Sequence, residues 1–514
     1  MLAPMQRQVV LTPPQILRQR WSPTMLVGLI TLGLLLWFTG PLCPDVSGQF
    51  WLAHAMRRGA RLYLDIVEIN PPLWFWLAMP IDWLAETLGI RTEPVTILVV
   101  ALAVLAAMHG VGRLLGHVEA PRRFAFLAYL GAILLIMPAR QLEQREHLAL
   151  IGAIPYLVLA AARRRGEAVA PSLALLIGVG AGLGFALKPY FMLVPILIEI
   201  WLLTSLRRAW RPVRAETLGL AATIAAYAAA LAVVTPSYFT VTVPMLLIAY
   251  NGVGPTLWDT LGLLPLIWLA TVAGTLSQWR SSRASAAPIT TALLIGALAF
   301  AIAWGVQHKG WLYQGLPATG CFAVALAAML VETGAPANRF VRLCAPALLV
   351  WPMTFAMIDV ETRITPDIDI APALAELRPG DPFGLISTAG ATTWPAAIGR
   401  GLRLSSRYGQ YWMINAIDQR PNDPAPKALM QRVIRETALD YRCLPPKVII
   451  FLDIKDKEAQ RLNSSHPYQL FVREPNFAAV MSHYRLWRTG PIYTAWRQVS
   501  PLDPVDPGQC RRPG

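Results

Sequence analysis

The sequence predicts a polytopic α-helical membrane protein that carries a small α/β domain at its C-terminal end. Of its 514 residues, 55% are hydrophobic and only 15% are charged, whereas globular proteins are roughly 45–50% apolar and about 25% charged. The apolar residues form uncharged runs of about 17 to 22 residues, long enough to cross the hydrocarbon core of a bilayer as helices. A soluble enzyme is therefore disfavoured.

About eleven spans are expected from these runs, with boundaries that are uncertain by a few residues. They lie near 24–42, 94–112, 124–138, 147–162, 171–187, 189–206, 217–235, 257–278, 288–306, 311–331 and 343–358. The first run follows a basic segment but lacks an Ala-x-Ala cleavage site, so it is interpreted as an uncleaved span.

The net charge of +15 could indicate a nucleic-acid partner, but the basic residues follow the predicted topology and form no tract interleaved with aromatic residues. With the N-terminus in the cytoplasm, the short inner loops hold about twice as many Lys and Arg residues as the outer loops. We therefore expect no nucleic-acid partner. The predicted location is a bacterial inner membrane, with a transmembrane domain at 1–359 and a periplasmic domain at 360–514.

This topology gives a long first outer loop, 43–93, that lies on the membrane surface. Ser47 to Arg58 is predicted as a short amphipathic helix. Pro71 to Leu88 is apolar but contains Asp82 and Glu86, and treating it as a span would invert every later loop. It is therefore predicted as an interfacial helix that begins at the two prolines, which the first turn of a helix tolerates.

The amino-acid composition changes from about Val360, where Pro, Asp and Arg residues become frequent again. Phe383 to Ser387 and Lys447 to Leu452 are predicted as strands bounded by turn residues. Cys443 and Cys510 fall in this outer domain and could form a disulfide in an oxidising compartment. Cys43 is a third outer cysteine, so the pairing stays open.

The first outer loop also contains a pattern of residues that resembles a known family. Asp45 follows span one, a G-x-x-x-Y-x-D turn contains Gly59, Tyr63 and Asp65, and Pro71-Pro72-Leu73 opens the interfacial helix. In these residues the chain resembles lipid-phosphate-dependent glycosyltransferases of the GT-C fold, including lipid A aminoarabinose transferases and protein O-mannosyltransferases. The resemblance covers roughly the first 200 residues well and the remainder mainly through topology.

Two positions depart from the family pattern. Val46 stands where many members have a second acid, and Asn70 stands where they often have Lys or His. The resemblance implies that Asp45 deprotonates or orients the acceptor, because a sugar hydroxyl is a poor nucleophile and a carboxylate can take its proton. The alternative is that Asp45 merely caps the following helix.

A departing polyprenyl phosphate is an anion, so the predicted reaction needs cations at the outer ends of the spans. Lys188 interrupts two apolar spans and matches a lysine found at this junction in the resembled family. Its alternative is snorkelling to the interface. For Arg145 and His147 the alternative is an internal ion pair with Glu146, and for His308 and Lys309 it is membrane anchoring. The candidate substrate-binding residues are Lys188, Arg145, His147, His308, Lys309, Glu68, Asn70, Tyr63 and Tyr190.

No cofactor is expected with certainty, but a divalent cation held by Asp45, Asp65 and Glu68 is left open, because carboxylate oxygens suit such ions. The alternative for Asp65 is stabilisation of its turn. Glycines between Gly178 and Phe185 lie within a span, where small residues more often permit close helix packing than bind phosphate.

The predicted function is an inverting glycosyltransferase that moves a sugar from a polyprenyl-phosphate donor to a lipid, glycan or protein acceptor at the outer face, in contact with membrane lipids. A transporter or flippase of lipid-linked sugars is one alternative, but it predicts charges deep within spans. A surface-polysaccharide polymerase or ligase is the other, although such proteins usually place their large outer loop between late spans.

Overall fold

The computed structural model describes residues 43–250, 287–307, 311–332, 370–388, 400–414, 420, 422–452, 467–490 and 493–510. The predicted spans near 24–42, 257–278 and 343–358 lie outside these residues, as do His308 and Lys309 and the predicted boundary between the two domains.

The first outer loop forms two helices that pack against each other, α1 (Pro44–Arg57) and α2 (Leu73–Leu88). Helix α1 begins three residues before the predicted Ser47 because Pro44, with its fixed φ, occupies the first turn. Cys43 is therefore the N-cap residue and Asp45 lies within the first turn, so the prediction that Asp45 might act as the cap is wrong. Helix α2 ends at Gly89, whose φ of +64° is a left-handed conformation.

The remaining helices before the sheet follow the predicted apolar runs, except α9, which lies between two predicted spans. They are α3 (Thr92–Leu114), α4 (Ala120–Leu135), α5 (Arg145–Arg164), α6 (Pro171–Ala186), α7 (Leu193–Leu206), α8 (Ala215–Val234), α9 (Val243–Tyr250), α10 (Pro288–Gln307) and α11 (Leu316–Glu332). In the described part of the chain, five helical segments are long and apolar enough to cross a membrane: Thr92–Leu114, Arg145–Arg164, Pro189–Ala209, Ala215–Val234 and Pro288–Gln307.

Helix α5 is the central helix of the bundle. It is buried along almost its whole length and packs against α3, α6, α7, α10 and α11. An arginine lies at or near each of its ends. Arg145 stands at its start, and at its far end, about 27 Å away at 1.5 Å per residue, Arg163 donates to Glu216 at 3.0 Å. The end marked by Arg145 is called the site end below.

Helices α6 and α8 approach closely because glycine lines their contact. A Cβ atom at Gly178 would lie 2.1 Å from the carbonyl oxygen of Glu216, and one at Gly182 would lie 2.8 Å from the Cβ of Thr223. The prediction that this glycine run serves helix packing is confirmed.

The C-terminal segment contains a five-stranded mixed sheet. Its strands are β1 (Pro382–Ile386), β2 (Arg403–Leu404), β3 (Val448–Leu452), β4 (Tyr484–Thr489) and β5 (Tyr493–Gln498), in the order β2-β1-β3-β5-β4. Strand β1 is parallel to β2 and β3, whereas β5 is antiparallel to β3 and β4. The two strands predicted from sequence, β1 and β3, are confirmed to within a residue.

Helices and apolar side chains cover both faces of this sheet. The helices are α12 (Ala371–Leu374), α13 (Pro424–Cys443), α14 (Pro467–Val472) and α15 (Pro475–Met481). Cys443, the last residue of α13, forms a disulfide with Cys510. Cys43 is buried and does not take part in a disulfide, so the pairing that the sequence left open is Cys443 with Cys510.

The sheet domain lies against the first outer loop, on the site end of the helices. The backbone N–H of Val67 donates to the carbonyl oxygen of Arg407 at 2.8 Å. The side chain of Arg420 donates to the carbonyl oxygen of Ile248 in α9. The domain therefore adjoins the segment that carries the predicted site residues.

Candidate functional site

Asp45 lies in the first turn of α1, partly buried at the site end. Gln144 Nε2 donates to Asp45 Oδ2 at 3.3 Å and also contacts Cys43 Sγ at 3.3 Å. Burial raises the pKa of the Asp45 carboxyl, while the Arg145 charge and the hydrogen bond from Gln144 oppose that rise. A carboxylate with a raised pKa is a better proton acceptor near neutral pH.

Arg145 is the first residue of α5 and is only 4% exposed. Its guanidinium lies 4.7 Å from the centroid of the Trp74 ring, a cation–π contact. It donates to Asn70 Oδ1, which is a neutral acceptor, and its Nε atom has no hydrogen-bond partner. Within the described residues Arg145 forms no ion pair with a carboxylate. Its positive charge is thus available to an anionic ligand.

Glu68 and Asn70 orient the Arg145 side chain. Glu68 Oε1 accepts from the backbone N–H groups of Ile69 at 2.8 Å and of Asn70 at 3.1 Å. It also accepts from Asn70 Nδ2 at 2.7 Å, which turns Asn70 Oδ1 towards Arg145. Burial raises the pKa of Glu68, opposed by these backbone hydrogen bonds. Asn70, a departure from the family pattern, therefore links Glu68 to Arg145.

Lys188 lies between α6 and the short 3₁₀-helix Pro189–Met192, in an extended conformation. It is 7% exposed. Its Nζ contacts Glu146 Oε1 at 2.5 Å and Gln307 Oε1 at 2.8 Å, and lies 6.0 Å from the ring centroid of Tyr313. Burial lowers the pKa of Lys188 to about 8, although the Glu146 charge opposes this. Lys188 is thus held inside the protein and does not extend to the interface.

Asp45, Arg145 and Lys188 form one electrostatic cluster. The charges of Arg145, Lys188 and Glu146 all act on the ionisation of Asp45. These residues come from the first outer loop, the start of α5 and the end of α6. The structure therefore brings together, at one end of the helices, the carboxylate and two of the cations that the sequence singled out.

His147 lies beside this cluster but is fully buried. Its Nδ1 accepts from the backbone N–H of Glu143 at 3.1 Å, and its Nε2 lies 2.7 Å from the carbonyl oxygen of Leu134. Both ring nitrogens thus contact the backbone, an arrangement that a neutral imidazole satisfies. The geometry favours positioning of the loop before α5 over contact with a ligand.

Tyr63 is buried with a φ of +71°, and its hydroxyl donates to the carbonyl oxygen of Asn70 at 2.6 Å. Its ring lies 5.3 Å from that of Tyr238. Tyr190 is 42% exposed, so its ring is accessible at the site end.

Asp65 accepts from the side chain of Arg61 at 2.8 and 2.9 Å and from the Arg61 backbone at 2.9 Å, as expected of a turn-stabilising acid.

These contacts bear on the divalent cation that the sequence left open. Both carboxylate oxygens of Asp65 accept hydrogen bonds from Arg61, which does not favour Asp65 as an ion ligand. Among the residues that the structure describes, the group of acids and histidine close enough to share an ion is His54, Asp82 and Glu86. The carboxylate set predicted from sequence does not meet that distance.

Sequence reasoning missed several polar residues of the site. Gln144 and Gln307 contact Asp45 and Lys188 across 99 and 119 residues of chain, and glutamine carries no charge to attract notice. Their only signal is position, because each directly precedes a string of predicted site residues. The sequence suggests an ion pair of Glu146 with its neighbours Arg145 and His147, whereas the structure pairs Glu146 with Lys188.

A further missed residue, Glu143, is 2% exposed and has a φ of +67°. Its Oε1 accepts from Gln49 Nε2 at 3.1 Å, and its carbonyl oxygen accepts from Trp74 Nε1 at 3.2 Å. Gln49 Nε2 also donates to the carbonyl oxygen of Trp74 at 2.7 Å. Burial raises the pKa of Glu143 well above its ordinary value. Glu143 thus joins α1, α2 and the loop before α5 behind Arg145.

Comparison with known proteins finds no family model that matches the sequence and no matching curated protein. Solved structures do match. The crystal structure of ArnT from Cupriavidus metallidurans bound to undecaprenyl phosphate aligns over 94% of this chain and 99% of its own, at 14% identity and a TM-score of 0.55.

Two other matches are weaker. The arabinofuranosyltransferase AftD from Mycobacteria aligns over 92% of this chain and 41% of its own, at 16% identity and a TM-score of 0.44. An oligosaccharyltransferase from Archaeoglobus fulgidus, in complex with zinc and sulfate, aligns over 92% and 73%, at 13% identity and a TM-score of 0.41.

The likeness to ArnT covers both the helices and the sheet domain. The chain therefore has the GT-C fold that the sequence resemblance implied, and the apolar helices that belong to this fold are those of a membrane protein.

Proposed function

We propose that this chain, whose fold is that of ArnT, is a membrane glycosyltransferase that takes a sugar from a polyprenyl-phosphate donor. The observation that carries the proposal is the cluster at the site end. There a partly buried carboxylate, Asp45, lies within electrostatic range of Arg145, a buried cation with no carboxylate partner among the described residues. Bound undecaprenyl phosphate in the ArnT crystal structure supports a polyprenyl phosphate as the donor's lipid.

In the proposed reaction Asp45 accepts the proton of the acceptor hydroxyl. The hydroxyl oxygen then attacks the anomeric carbon of the sugar, the bond between that carbon and the phosphate oxygen breaks, and polyprenyl phosphate leaves with the electron pair. Attack from the face opposite the phosphate inverts the anomeric configuration. The raised pKa of Asp45 suits a base that works near neutral pH.

Arg145 is proposed to stabilise the leaving phosphate. Charge develops on the phosphate oxygens as the glycosidic bond breaks, and a preorganised cation held by Asn70 and Trp74 needs little rearrangement to meet it. Nη1 donates to Asn70, whereas Nε has no partner, and a guanidinium can pair with two phosphate oxygens at once. Lys188 serves as a second cation, but its existing ion pair with Glu146 reduces the charge that it offers.

The sugar and the acceptor are less well defined. Tyr190, exposed beside Lys188, offers a ring that a sugar or the donor lipid could contact. The acceptor is proposed to be a lipid, glycan or protein at the periplasmic face of the inner membrane, where the positive-inside rule places the site end. The sheet domain is proposed to span residues 360–514 and to cover the side of the site at which the acceptor binds.

The test is sugar transfer by purified protein in detergent, with radiolabelled polyprenyl-phosphate sugars and a membrane extract as the source of acceptor. Wild type should transfer label, and Asp45→Asn should lose transfer by about 100-fold or more. The matched control is Asp503→Asn, which makes the same change at an exposed acid of the sheet domain. If Asp45→Asn transfers sugar as fast as wild type, Asp45 is not the base. If wild type moves the donor across vesicle membranes without breaking it, the protein is a transporter.

A further inference from the structure

A cavity of about 860 Å³ lies between the interfacial helices α1 and α2 and the sheet domain. Its volume falls within the range of roughly 300–1,000 Å³ that is typical of small-molecule sites. Its apolar wall includes Phe50, Trp51, Ile66, Leu402, Leu404 and Val505. One side is fixed by the Cys443–Cys510 disulfide.

This cavity is separate from the cluster around Asp45. The part of α1 that lines it runs from Phe50 to the residue after the helix, Arg58. Along α1, Asp45 is about 7.5 Å from Phe50 and about 20 Å from Arg58 at roughly 1.5 Å per residue. Because Asp45, Arg145 and Lys188 do not line the cavity, a ligand there is not the reacting group of the proposed transfer.

The acids that line the cavity are already neutralised. Asp82 Oδ2 accepts from Arg57 at 2.5 Å and contacts His54 Nδ1 at 3.2 Å. Hydrogen bonds from His54 and Arg57 lower the pKa of Asp82, although burial alone would raise it. Arg57 also contacts Glu86 at 2.7 Å. This arginine occupies the space between the two acids, which argues against a metal ion there.

The third acid, Asp440, is held by Arg407, whose guanidinium and backbone N–H both donate to it at 2.8 Å. Of the three arginines that line the cavity, Arg58 contacts Glu86 at 3.6 Å, which leaves Arg403 and Arg442. Arg403 and Arg442 form no ion pair with a carboxylate within the described residues, and the side-chain contact of Arg442 is with the carbonyl oxygen of Pro504 at 3.4 Å. The cavity thus offers uncompensated positive charge beside an apolar wall.

An apolar path leads from the cavity towards the membrane. Ile90, which lines the cavity, is 47% exposed, and the nearby Leu88 is 58% exposed. Thr92 also lines the cavity and begins α3, a helix that is long enough to cross the membrane. The exposed face of α3 presents Leu98, Leu102 and Leu105 at helical spacing, each 47–56% exposed.

We propose that this cavity binds the anionic headgroup of a membrane phospholipid, with Arg403 and Arg442 at the phosphate and the acyl chains leaving past Ile90 along α3. Charge complementarity selects an anion, and the path past Ile90 selects an anion that carries apolar chains. The binding is independent of the proposed sugar transfer, because none of these residues belongs to the Asp45 cluster.

The test is native mass spectrometry of the full-length protein in detergent, titrated with phosphatidylglycerol or with phosphatidylcholine, whose headgroup carries no net charge. Wild type should bind phosphatidylglycerol more tightly than phosphatidylcholine. Arg403→Gln/Arg442→Gln should weaken that binding by about tenfold or more. The matched control Arg435→Gln/Arg473→Gln removes two exposed arginines outside the cavity and should bind as wild type does.

The apolar path has its own test. Ile90→Asn should weaken phosphatidylglycerol binding, whereas Val499→Asn, at a similarly exposed position of the sheet domain, should not. All four residues changed in the charge variants are at least partly accessible, and an unchanged melting temperature establishes that each variant is folded.

Three outcomes would overturn the proposal: equal binding by the cavity and control variants, equal retention of the two lipids, or displacement of the lipid by excess inorganic phosphate, which would make the site one for free anions. Asp45→Asn should bind phosphatidylglycerol like wild type. Loss of transfer with intact lipid binding therefore separates the failure of one proposal from the failure of the other.

Discussion

Replacing Arg145 by glutamine removes the site cation that lacks a carboxylate partner among the described residues. The side chain is 4% exposed and lies 4.7 Å from the Trp74 ring, so its charge acts in a poorly solvated site, where water screens it weakly. Loss of one preorganised donor at a developing charge typically costs about 100- to 1,000-fold in kcat, or roughly 2.7–4 kcal/mol. Arg145→Gln should therefore lower kcat by that factor.

The folded state should survive this change. The lost cation–π contact is worth about 0.5–2 kcal/mol, which is small against the roughly 5–15 kcal/mol by which native proteins are stable. The assay is the initial rate of labelled sugar transfer at saturating donor, with the melting temperature measured in parallel. Arg145→Lys, which keeps the charge but loses the planar fork, should fall between wild type and Arg145→Gln.

Arg485→Gln, at an exposed position on β4, is the control for loss of one positive charge. If Arg145→Gln retains kcat within about threefold of wild type, or is no slower than the control, Arg145 does not stabilise the leaving group and the reasoning from its unpaired charge is refuted.

Three further predictions concern pH and packing. The rate of sugar transfer should show a bell-shaped dependence on pH. It should fall in acid because Asp45 becomes protonated, at a pKa above its ordinary value of 3.8, and in alkali because Lys188 loses its proton near pH 8. Lys188→Arg should move the fall in alkali to higher pH in rate measurements. Glu143 has a folded-state pKa well above 4.5, so its contribution to stability is lost as pH rises. The melting temperature of Glu143→Gln should therefore exceed that of wild type by more at pH 8 than at pH 5, and a pH-independent difference would contradict this. Gly178→Ala should lower the melting temperature, because the added Cβ meets backbone at 2.1 Å, whereas Gly180→Ala, with nothing within 4 Å, should not; equal effects would contradict the packing.

The sequence predicts those parts of the fold that depend on local pattern. The spans at α5 and α10 follow from uncharged runs, and strands β1 and β3 follow from short apolar runs between turn residues. The start of α1 was misplaced because the run of apolar side chains begins later than the helix, whose first turn is set by Pro44.

The site was predictable only in part. Asp45, Arg145 and Lys188 stood out as charges beside apolar runs, and the structure brings them together. Which of these charges is neutralised by an ion pair could not be predicted, because the pairing depends on contacts between distant segments. Glu146 pairs with Lys188, 42 residues away, whereas Arg145 donates to the neutral side chain of Asn70. The geometry therefore favours Arg145 over Lys188 as the cation that meets the leaving phosphate.

The central claim is that Asp45 drives displacement of a sugar from polyprenyl phosphate. The most direct measurement is the release of polyprenyl phosphate from a labelled polyprenyl-phosphate sugar in a single turnover, quantified together with the glycosylated acceptor. We predict that wild type and Asp503→Asn release one polyprenyl phosphate for each sugar transferred and that Asp45→Asn releases it at least about 100-fold more slowly. Release by Asp45→Asn at the wild-type rate, or sugar transfer without release, would contradict the account.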